Sequence, residues 1–171
     1  MFEISRLSQQ YTVRRLTETN VDDVFRLCIG NPTYYLHCPP PVTPQSICDD
    51  MRALPPNKTF ADKFYVGFFD GDKLVAVCDL ILRYPNDKTA FIGFFMTEKS
   101  VQNHGIGSRI IAEICSALKN NGFDCVRLGW VSGNTQAENF WRKNGFEPTG
   151  VISEHALYNV VVAQKTLSKR N

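Results

Sequence analysis

The 171-residue sequence has no long apolar run and no surplus of one charge. Its longest apolar stretches, such as residues 91–95, are far shorter than the about 18 residues that a membrane-spanning helix needs. The first residues lack the apolar core of a secretory signal. Lys and Arg number 19 against 17 Asp and Glu, so no strong field recruits nucleic acid or an anionic membrane. We therefore expect a cytoplasmic protein with no nucleic-acid partner and no membrane partner.

The cysteines and histidines form no pattern that is typical of a disulfide or metal site. The six cysteines lie at least ten residues apart and mostly inside apolar segments, so we expect reduced thiols packed in the core. Of the three histidines, His37 lies beside Cys38, too close to share one ion easily. No metal site is expected. A length of 171 residues at 43% hydrophobic suits one domain over residues 1–171.

The first third of the sequence predicts a strand, two helices and an irregular connection. Alternating residues predict a strand over 11–16, and Asn20 opens a helix that ends near Gly30. A second helix runs from a Thr43 N-cap to about residue 53. Between the helices, residues 31–41 read NPTYYLHCPPP. Because successive prolines oppose helix formation, we expect this connection to be extended.

The remaining elements follow from turn residues and apolar spacing. They are strands over 64–69, 73–84 and 89–97, a helix over 106–121, a strand over 125–131, a helix over 135–144, and strands over 149–152 and 158–166. The strands over 64–69, 73–84 and 89–97 form an antiparallel meander, because Asp70-Gly71 favours a tight hairpin turn. We expect Thr135 and Glu138 to form a capping box at the start of the helix over 135–144.

The segment after strand 89–97 predicts a binding site for a diphosphate. Gly105 and Gly107 let the backbone turn tightly while several N–H groups point the same way at the positive end of a helix. A dinucleotide-binding fingerprint does not fit, because its third glycine is replaced by Ile110 and the preceding strands form an antiparallel meander. A P-loop does not fit either, because no Lys follows Gly107.

Two motifs in this region resemble those of a known family. Gln102-x-x-Gly105-x-Gly107 after a strand resembles the acetyl-CoA pyrophosphate signature of the GNAT N-acetyltransferase superfamily. Residues 134–146 resemble that family's N-x-x-A-x-x-[LF]-Y-x-K-x-G-F stretch at a matching distance downstream. The resemblance spans most of the chain and is densest over residues 91–146.

The resemblance implies an α/β fold in which a central, mostly antiparallel, splayed mixed sheet of about 6–7 strands is flanked by about four helices. It places a cofactor core over residues 89–148 and acceptor-side helices and a loop over residues 20–60. It also implies that acetyl-CoA is the cofactor and that a primary amine of a small molecule or peptide attacks its thioester directly in a ternary complex. A homodimer stays open, because pairing through edge strands leaves no readable motif.

By this resemblance, the pantetheine arm lies between two splayed strands and contacts the backbone of the earlier one. The backbone N–H near Met96 or Thr97 is the implied donor to the oxyanion. The residues implied to contact the cofactor are Phe95, Met96, Thr97, Gln102, Asn103, His104, Gly105, Ile106, Gly107, Ser108, Asn134, Ala137, Phe140 and Trp141. Core packing is an alternative or additional role for Ala137, Phe140 and Trp141.

Transfer to an amine benefits from a base, because a lysine-like amine costs about 4.6 kcal/mol to deprotonate at pH 7. Asp79 is the first candidate, since a carboxylate that interrupts an apolar strand is costly unless it is paired or functional. The alternative is a structural pair with Arg83 or another cation. Glu98, just past the cofactor strand, is the second candidate, with a solvated surface carboxylate as its alternative.

The acid that protonates the leaving thiolate stays open. Trp141 stands where many members of the family carry a Tyr in this role, and an indole N–H is too weak an acid. The thiolate then leaves unassisted, as a thiol pKa of about 8.5 allows, or a displaced donor such as Tyr158 acts. The same departure suggests a second hypothesis, a catalytically inactive acyl-CoA-binding regulatory module.

Aromatic residues are the candidates for the acceptor pocket. Tyr34 and Tyr35 in the proline-rich connection, and Trp130 near the end of a strand, offer walls for a small or apolar amine. Anchoring of a loop is the alternative role of the two tyrosines.

Overall fold

The computed structural model describes residues 1–167, so residues 168–171 of the predicted domain lie outside the described residues. Within residues 1–167 one sheet contains seven strands: β1 (Thr12–Arg15), β2 (Lys63–Asp70), β3 (Lys73–Ile81), β4 (Thr89–Thr97), β5 (Cys125–Val131), β6 (Glu147–Glu154) and β7 (Asn159–Thr166). The α-helices of the same residues are α1 (Val21–Ile29), α2 (Pro32–His37), α3 (Pro44–Arg52), α4 (Ile106–Asn120) and α5 (Thr135–Lys143). Short 3₁₀ helices cover Ile4–Leu7, Glu18–Asn20 and Lys99–Val101.

The sheet separates in its middle. Its strand order is β1-β2-β3-β4-β5-β7-β6, and every neighbouring pair is antiparallel except β4 and β5. The parallel pairing of β4 with β5 begins at Thr89 and Cys125 and stops at Ile92 and Leu128. The next residue, Gly93, is a bulge in the pairing of β4 with β3, and a bulge bends the strand that carries it. The predicted mostly antiparallel, splayed mixed sheet is therefore confirmed, with five helices in place of about four.

The core lies on both faces of this sheet. The long helix α4 covers one face with the residues that its apolar spacing predicts as buried: Ile110, Ile111, Ile114 and Leu118. Helices α1 and α3 cover the other face, where Val24 and Ile47 belong to one buried hydrophobic cluster with Val77 of β3. Each fully buried side chain of this size contributes about 1.5–3 kcal/mol. None of the helices in residues 1–167 is long and apolar enough to cross a membrane.

The prediction of an extended connection over residues 31–41 is wrong for its first half, which forms the six-residue helix α2. Pro32 is the first residue of this helix, where proline is favoured because an N–H at this position would have no intrahelical acceptor and because the φ of proline is already helical. The helix ends at His37, before the following prolines. Proline therefore starts and stops this helix instead of preventing it.

The predicted capping box at the start of α5 is also wrong. Asn134 is the N-cap, and its Oδ1 accepts the N–H of Ala137 at 3.1 Å. Thr135 is instead the first helical residue. Asn is as good an N-cap as Ser or Thr, so Asn134 takes this position in place of its neighbour Thr135.

Candidate active site

A cleft of about 590 Å³ opens where β4 and β5 separate. Its walls come from the end of β4, the following turn, the start of α4, one side of α5 and the junction of α1 with α2. It brings together the predicted cofactor residues Phe95, Met96, Thr97, Gln102, Asn103, Gly105, Ile106, Gly107, Ser108, Asn134, Ala137, Phe140 and Trp141. The exception is His104, an exposed residue of the turn that does not line the cleft.

The start of α4 faces this cleft without a side-chain cap. Gly105 is its N-cap residue with φ +75°, and Asn103 also has a positive φ of 64°. Within residues 1–167 no side chain accepts a hydrogen bond from the first turn of this 15-residue helix, whereas Thr43 and Asn134 cap α3 and α5. The first backbone N–H groups and the positive end of the helix dipole are therefore available to an anion.

Gly107 allows three elements to meet at the cleft. A Cβ atom at this position would lie 3.3 Å from Cε2 of Phe140 and 3.5 Å from Cγ2 of Thr97. Phe140 stacks on Phe95 with ring centroids 6.1 Å apart, and Trp141 packs edge-on against Phe140 at 4.9 Å. The aromatic side chains of β4 and α5 thus form one wall beside the helix start.

The backbone at the end of β4 faces two directions. The N–H of Glu98 bonds to the carbonyl of Val75 at 2.8 Å, and Met96 pairs with Val77 in the same register. Because bonding direction alternates along an antiparallel strand, Met96 directs its N–H toward β3 while Phe95 and Thr97 direct theirs toward the gap left by β5. Of the two positions expected for the oxyanion donor, the register favours Thr97.

Side-chain amides hold this strand end and the turn. The carbonyl of Thr97 accepts hydrogen bonds from Nδ2 of Asn31 and from Nε2 of Gln102, both at 3.1 Å. Gln102 also donates to Oδ1 of Asn31 at 2.6 Å. At the other side of the turn, Nδ2 of Asn144 donates to Oγ of Ser108 at 3.1 Å. The amide of Gln102 therefore binds the chain itself, although this residue lines the cleft.

Several residues that line the cleft were missed from the sequence. Asn31 is one, and the only sequence signal at this position is an Asn that precedes a helix-starting Pro. Lys99 and Lys143 also line the cleft. Lys143 could have been found, because it occupies the Lys position of the family motif that the sequence resembles.

Asp79 forms a buried ion pair on the face of the sheet that α1 and α3 cover. Its Oδ2 lies 2.8 Å from Nζ of Lys63, and the two side chains are 13% and 3% exposed. Its Oδ1 is buried and has no hydrogen-bond partner among residues 1–167. Burial raises the pKa of Asp79, and the Lys63 charge offsets part of that rise. The pairing with a cation that the sequence allowed is present, but Lys63 supplies it, and Arg83 bonds to Asp62 instead.

Glu98 lies outside the cleft lining and caps a short helix. Its Oε2 accepts the N–H of Ser100 at 3.1 Å and a short hydrogen bond from the Ser100 hydroxyl. Lys73 lies 3.4 Å from the same oxygen. The Ser100 bonds, together with Lys73, hold the pKa of Glu98 below its usual value. These contacts describe a structural carboxylate at the end of β4.

Tyr34 links the cleft to the other side of β4. It lines the cleft and packs edge-on against Tyr35 at 4.9 Å and Phe94 at 5.8 Å. Its hydroxyl interacts with the thiol of Cys38, which also hydrogen-bonds to Tyr158. Burial raises the pKa of Tyr34. The hydrogen bond with Cys38, helped by burial, raises the pKa of Tyr158 to about 12.

Two of the predicted acceptor residues lie away from the cleft lining. Tyr35 is half-buried, and burial raises the pKa of its phenol beside Cys28. Trp130 is 4% exposed and belongs to the core, with the guanidinium carbon of Arg142 5.9 Å from its ring centroid. A side chain with so little free surface offers almost no contact to an acceptor, so the role predicted for Trp130 has no support in its position.

Comparison with known proteins agrees with this geometry. Residues 31–146 match the acetyltransferase (GNAT) family model. A tRNA(Met) cytidine acetyltransferase from Methanopyrus kandleri is 30% identical over 70 residues, which cover 41% of this chain but only 8% of that relative's length.

The fold is also shared with solved structures of low sequence identity. An acetyltransferase from Thermus thermophilus has a TM-score of 0.74 at 16% identity, covering 92% of this chain and 97% of its own. The PaiA N-acetyltransferase from Thermoplasma acidophilum, solved in complex with coenzyme A, has a TM-score of 0.66 at 14% identity, covering 90% of this chain and 97% of its own. The family match and the cleft lead to one conclusion: this chain belongs to the GNAT acetyltransferase family.

Proposed function

We propose that this protein transfers the acetyl group of acetyl-CoA to a primary amine of a small molecule or peptide, by direct attack in a ternary complex. One observation carries the proposal: the uncapped start of α4 opens into a cleft at the point where β4 and β5 separate. The cleft therefore joins an anion site to free strand backbone. Family membership supports the same reaction class.

The residues of the cleft suit coenzyme A without a basic surplus. The backbone N–H groups from Gly105 to Ser108 are donors for the diphosphate. The gap-facing N–H groups of Phe95 and Thr97 offer hydrogen bonds to an extended amide chain such as pantetheine, as a neighbouring strand would. Bound acetyl-CoA supplies an activated thioester, and the N–H of Thr97 is placed to stabilise negative charge on its oxygen.

The acceptor amine approaches from the side of Tyr34, which reaches both the cleft and the face beyond β4. Asp79 accepts the proton of this amine through a water molecule, because the Asp79 side chain is not among the residues that line the cleft. The unpartnered Oδ1 of Asp79 is the acceptor that such a water requires. Attack of the amine on a bound thioester would form the C–N bond while the N–H of Thr97 stabilises the oxyanion, and collapse of that oxyanion would break the C–S bond and release the thiolate without a dedicated acid.

A panel of amines tests this proposal directly. Purified protein is incubated with acetyl-CoA and each amine, and free thiol is quantified beside the acetylated product. We expect thiol release that depends on one class of amine and that matches the product in amount. Absence of turnover across small amines, polyamines and peptide N-termini contradicts the proposal.

Trp141 supports a second candidate function, an acyl-CoA-binding regulatory module without catalysis. The indole is 7% exposed and packs edge-on against Phe140, Phe95 and Phe146, so it serves as packing where an acid is usual. Calorimetry separates the two functions. Tight binding of CoA with no turnover on the amine panel supports the regulatory module, whereas turnover excludes it.

A further inference from the structure

We propose that Asn31 is a positioning residue, which fixes both the end of the cofactor strand β4 and the start of the acceptor-side helix α2. The proposal rests on the proposed function, because it concerns how the cofactor and acceptor sides are aligned. It assigns a role to a residue outside the two motifs that resemble the family.

All the polar groups of the Asn31 side chain are engaged. Its Nδ2 donates to the carbonyl of Leu27 at 3.0 Å and to that of Thr97 at 3.1 Å, and its Oδ1 accepts from Gln102 at 2.6 Å. The residue is half-buried at the edge of the cleft. One side chain thus joins the last turn of α1, the end of β4 and the turn before α4.

The hydrogen bonds that Asn31 and Gln102 donate to Thr97 take the place of bonds from a neighbouring strand. The carbonyl of Thr97 faces the same gap as its N–H, where a continuing sheet would supply a partner from β5. Pairing of β4 with β5 has already ended at Ile92 and Leu128, so the amides of Asn31 and Gln102 occupy the carbonyl instead. The strand end therefore keeps an extended conformation, and its Thr97 N–H points into the gap where a ligand can reach it.

The same side chain sets the position of the acceptor side. Asn31 directly precedes Pro32, the first residue of α2, and Tyr34 of this helix lines the cleft. Bonds from Asn31 to Thr97 and Gln102 thus hold α2 against the cofactor strand. The distance between Tyr34 and the Thr97 N–H depends on this connection.

The chain contains a matched control for the experiment. Asn121 directly follows α4, and its Nδ2 donates to the carbonyl of Ala117, four residues earlier, at 2.8 Å, as Nδ2 of Asn31 donates to Leu27. Asn121 lies at the far end of α4 from the cleft. Substitution of Asn121 therefore removes the bond to the helix end and leaves the cofactor strand untouched.

The test compares Asn31→Asp and Asn31→Ala with Asn121→Asp and Asn121→Ala. Asp cannot donate to the carbonyl of Thr97 and repels it, whereas Ala only removes the bonds. The probes are CoA, titrated by calorimetry, and acetyl-CoA turnover with an amine found in the panel. Thermal unfolding of each variant measures the structural cost separately.

We expect the Asn31 variants to bind CoA about tenfold more weakly, because they lose the hydrogen bond that holds the carbonyl of Thr97 in place. We also expect a higher KM for the amine, because α2 is no longer held against β4. The Asn121 variants lose one such hydrogen bond instead of three, so they should lose less thermal stability and keep the affinity for CoA of the unmodified protein.

If folded Asn31 variants bind CoA as tightly as the Asn121 variants do, the positioning role is overturned. Asn31→Ala introduces no repulsion and keeps the test valid if Asn31→Asp does not fold. Failure of the unmodified protein to bind CoA overturns the proposed function instead, so the two failures are distinguishable.

Discussion

Replacement of Gly107 by Asp or Asn tests the anion site with two side chains of nearly equal size. Gly107 is the second residue of α4, where a Cβ atom would approach Phe140 to 3.3 Å. Both variants require the same small shift of that ring. Only Asp adds a negative charge beside the proposed diphosphate.

The negative charge of Asp at position 107 should affect the stability of the fold and the binding of CoA in opposite directions. A carboxylate in the first turn of a helix stabilises the fold by about 0.3–1 kcal/mol, so Gly107→Asp should unfold at the same temperature as Gly107→Asn or slightly above it. Two like charges about 4 Å apart repel by about 4 kcal/mol at an effective dielectric constant of about 20. This repulsion corresponds to about a thousandfold weaker binding of CoA.

Calorimetric titration with CoA, beside a thermal melt, measures both quantities. We expect Gly107→Asp to bind CoA far more weakly than Gly107→Asn, with the difference shrinking as salt is added. Equal CoA affinity of the two variants would show that no phosphate lies near the start of α4, and the reasoning from the uncapped helix would then be wrong.

Other substitutions test the acceptor side. Asp79→Asn leaves the buried Lys63 unpaired, which lowers the free energy of unfolding by about 3–5 kcal/mol. Adding Lys63→Met should restore the melting temperature but not the rate of acetyl transfer. If the double variant recovers both, Asp79 is not the base. Because burial raises the pKa of Asp79 and only its carboxylate accepts a proton, the acid limb of the kcat/KM profile should lie above the range of an ordinary Asp and vanish in the double variant. Tyr34→Phe removes one hydroxyl and should raise the KM for the amine by about fivefold, as expected for one lost hydrogen bond, with CoA affinity unchanged. Weaker CoA binding in Tyr34→Phe would instead place the hydroxyl in the cofactor site.

The cofactor side of the cleft could be predicted from the sequence because its geometry is local. Gly105 and Gly107 form the turn and start the helix within a few residues, so spacing alone carries the information. The separation of β4 from β5 depends on a bulge at Gly93 and on strand register. That part followed from the resemblance to a family and not from the residues themselves.

The acceptor side could not be predicted in the same way. Lys63 meets Asp79 only through the register of β2 with β3, and the sequence alone favoured the nearer Arg83. Asn31 and Gln102 are 71 residues apart. Contacts of this kind depend on tertiary packing, and no spacing rule connects them.

The central claim is that CoA binds in the gap between β4 and β5 with its diphosphate at the start of α4. A titration with CoA followed by amide chemical shifts in NMR tests it most directly. We predict the largest shifts at the backbone N–H groups of Phe95 and Thr97 and from Gly105 to Ser108. Saturating CoA that leaves these amides unshifted, or that shifts amides on the opposite end of the sheet, would contradict the account.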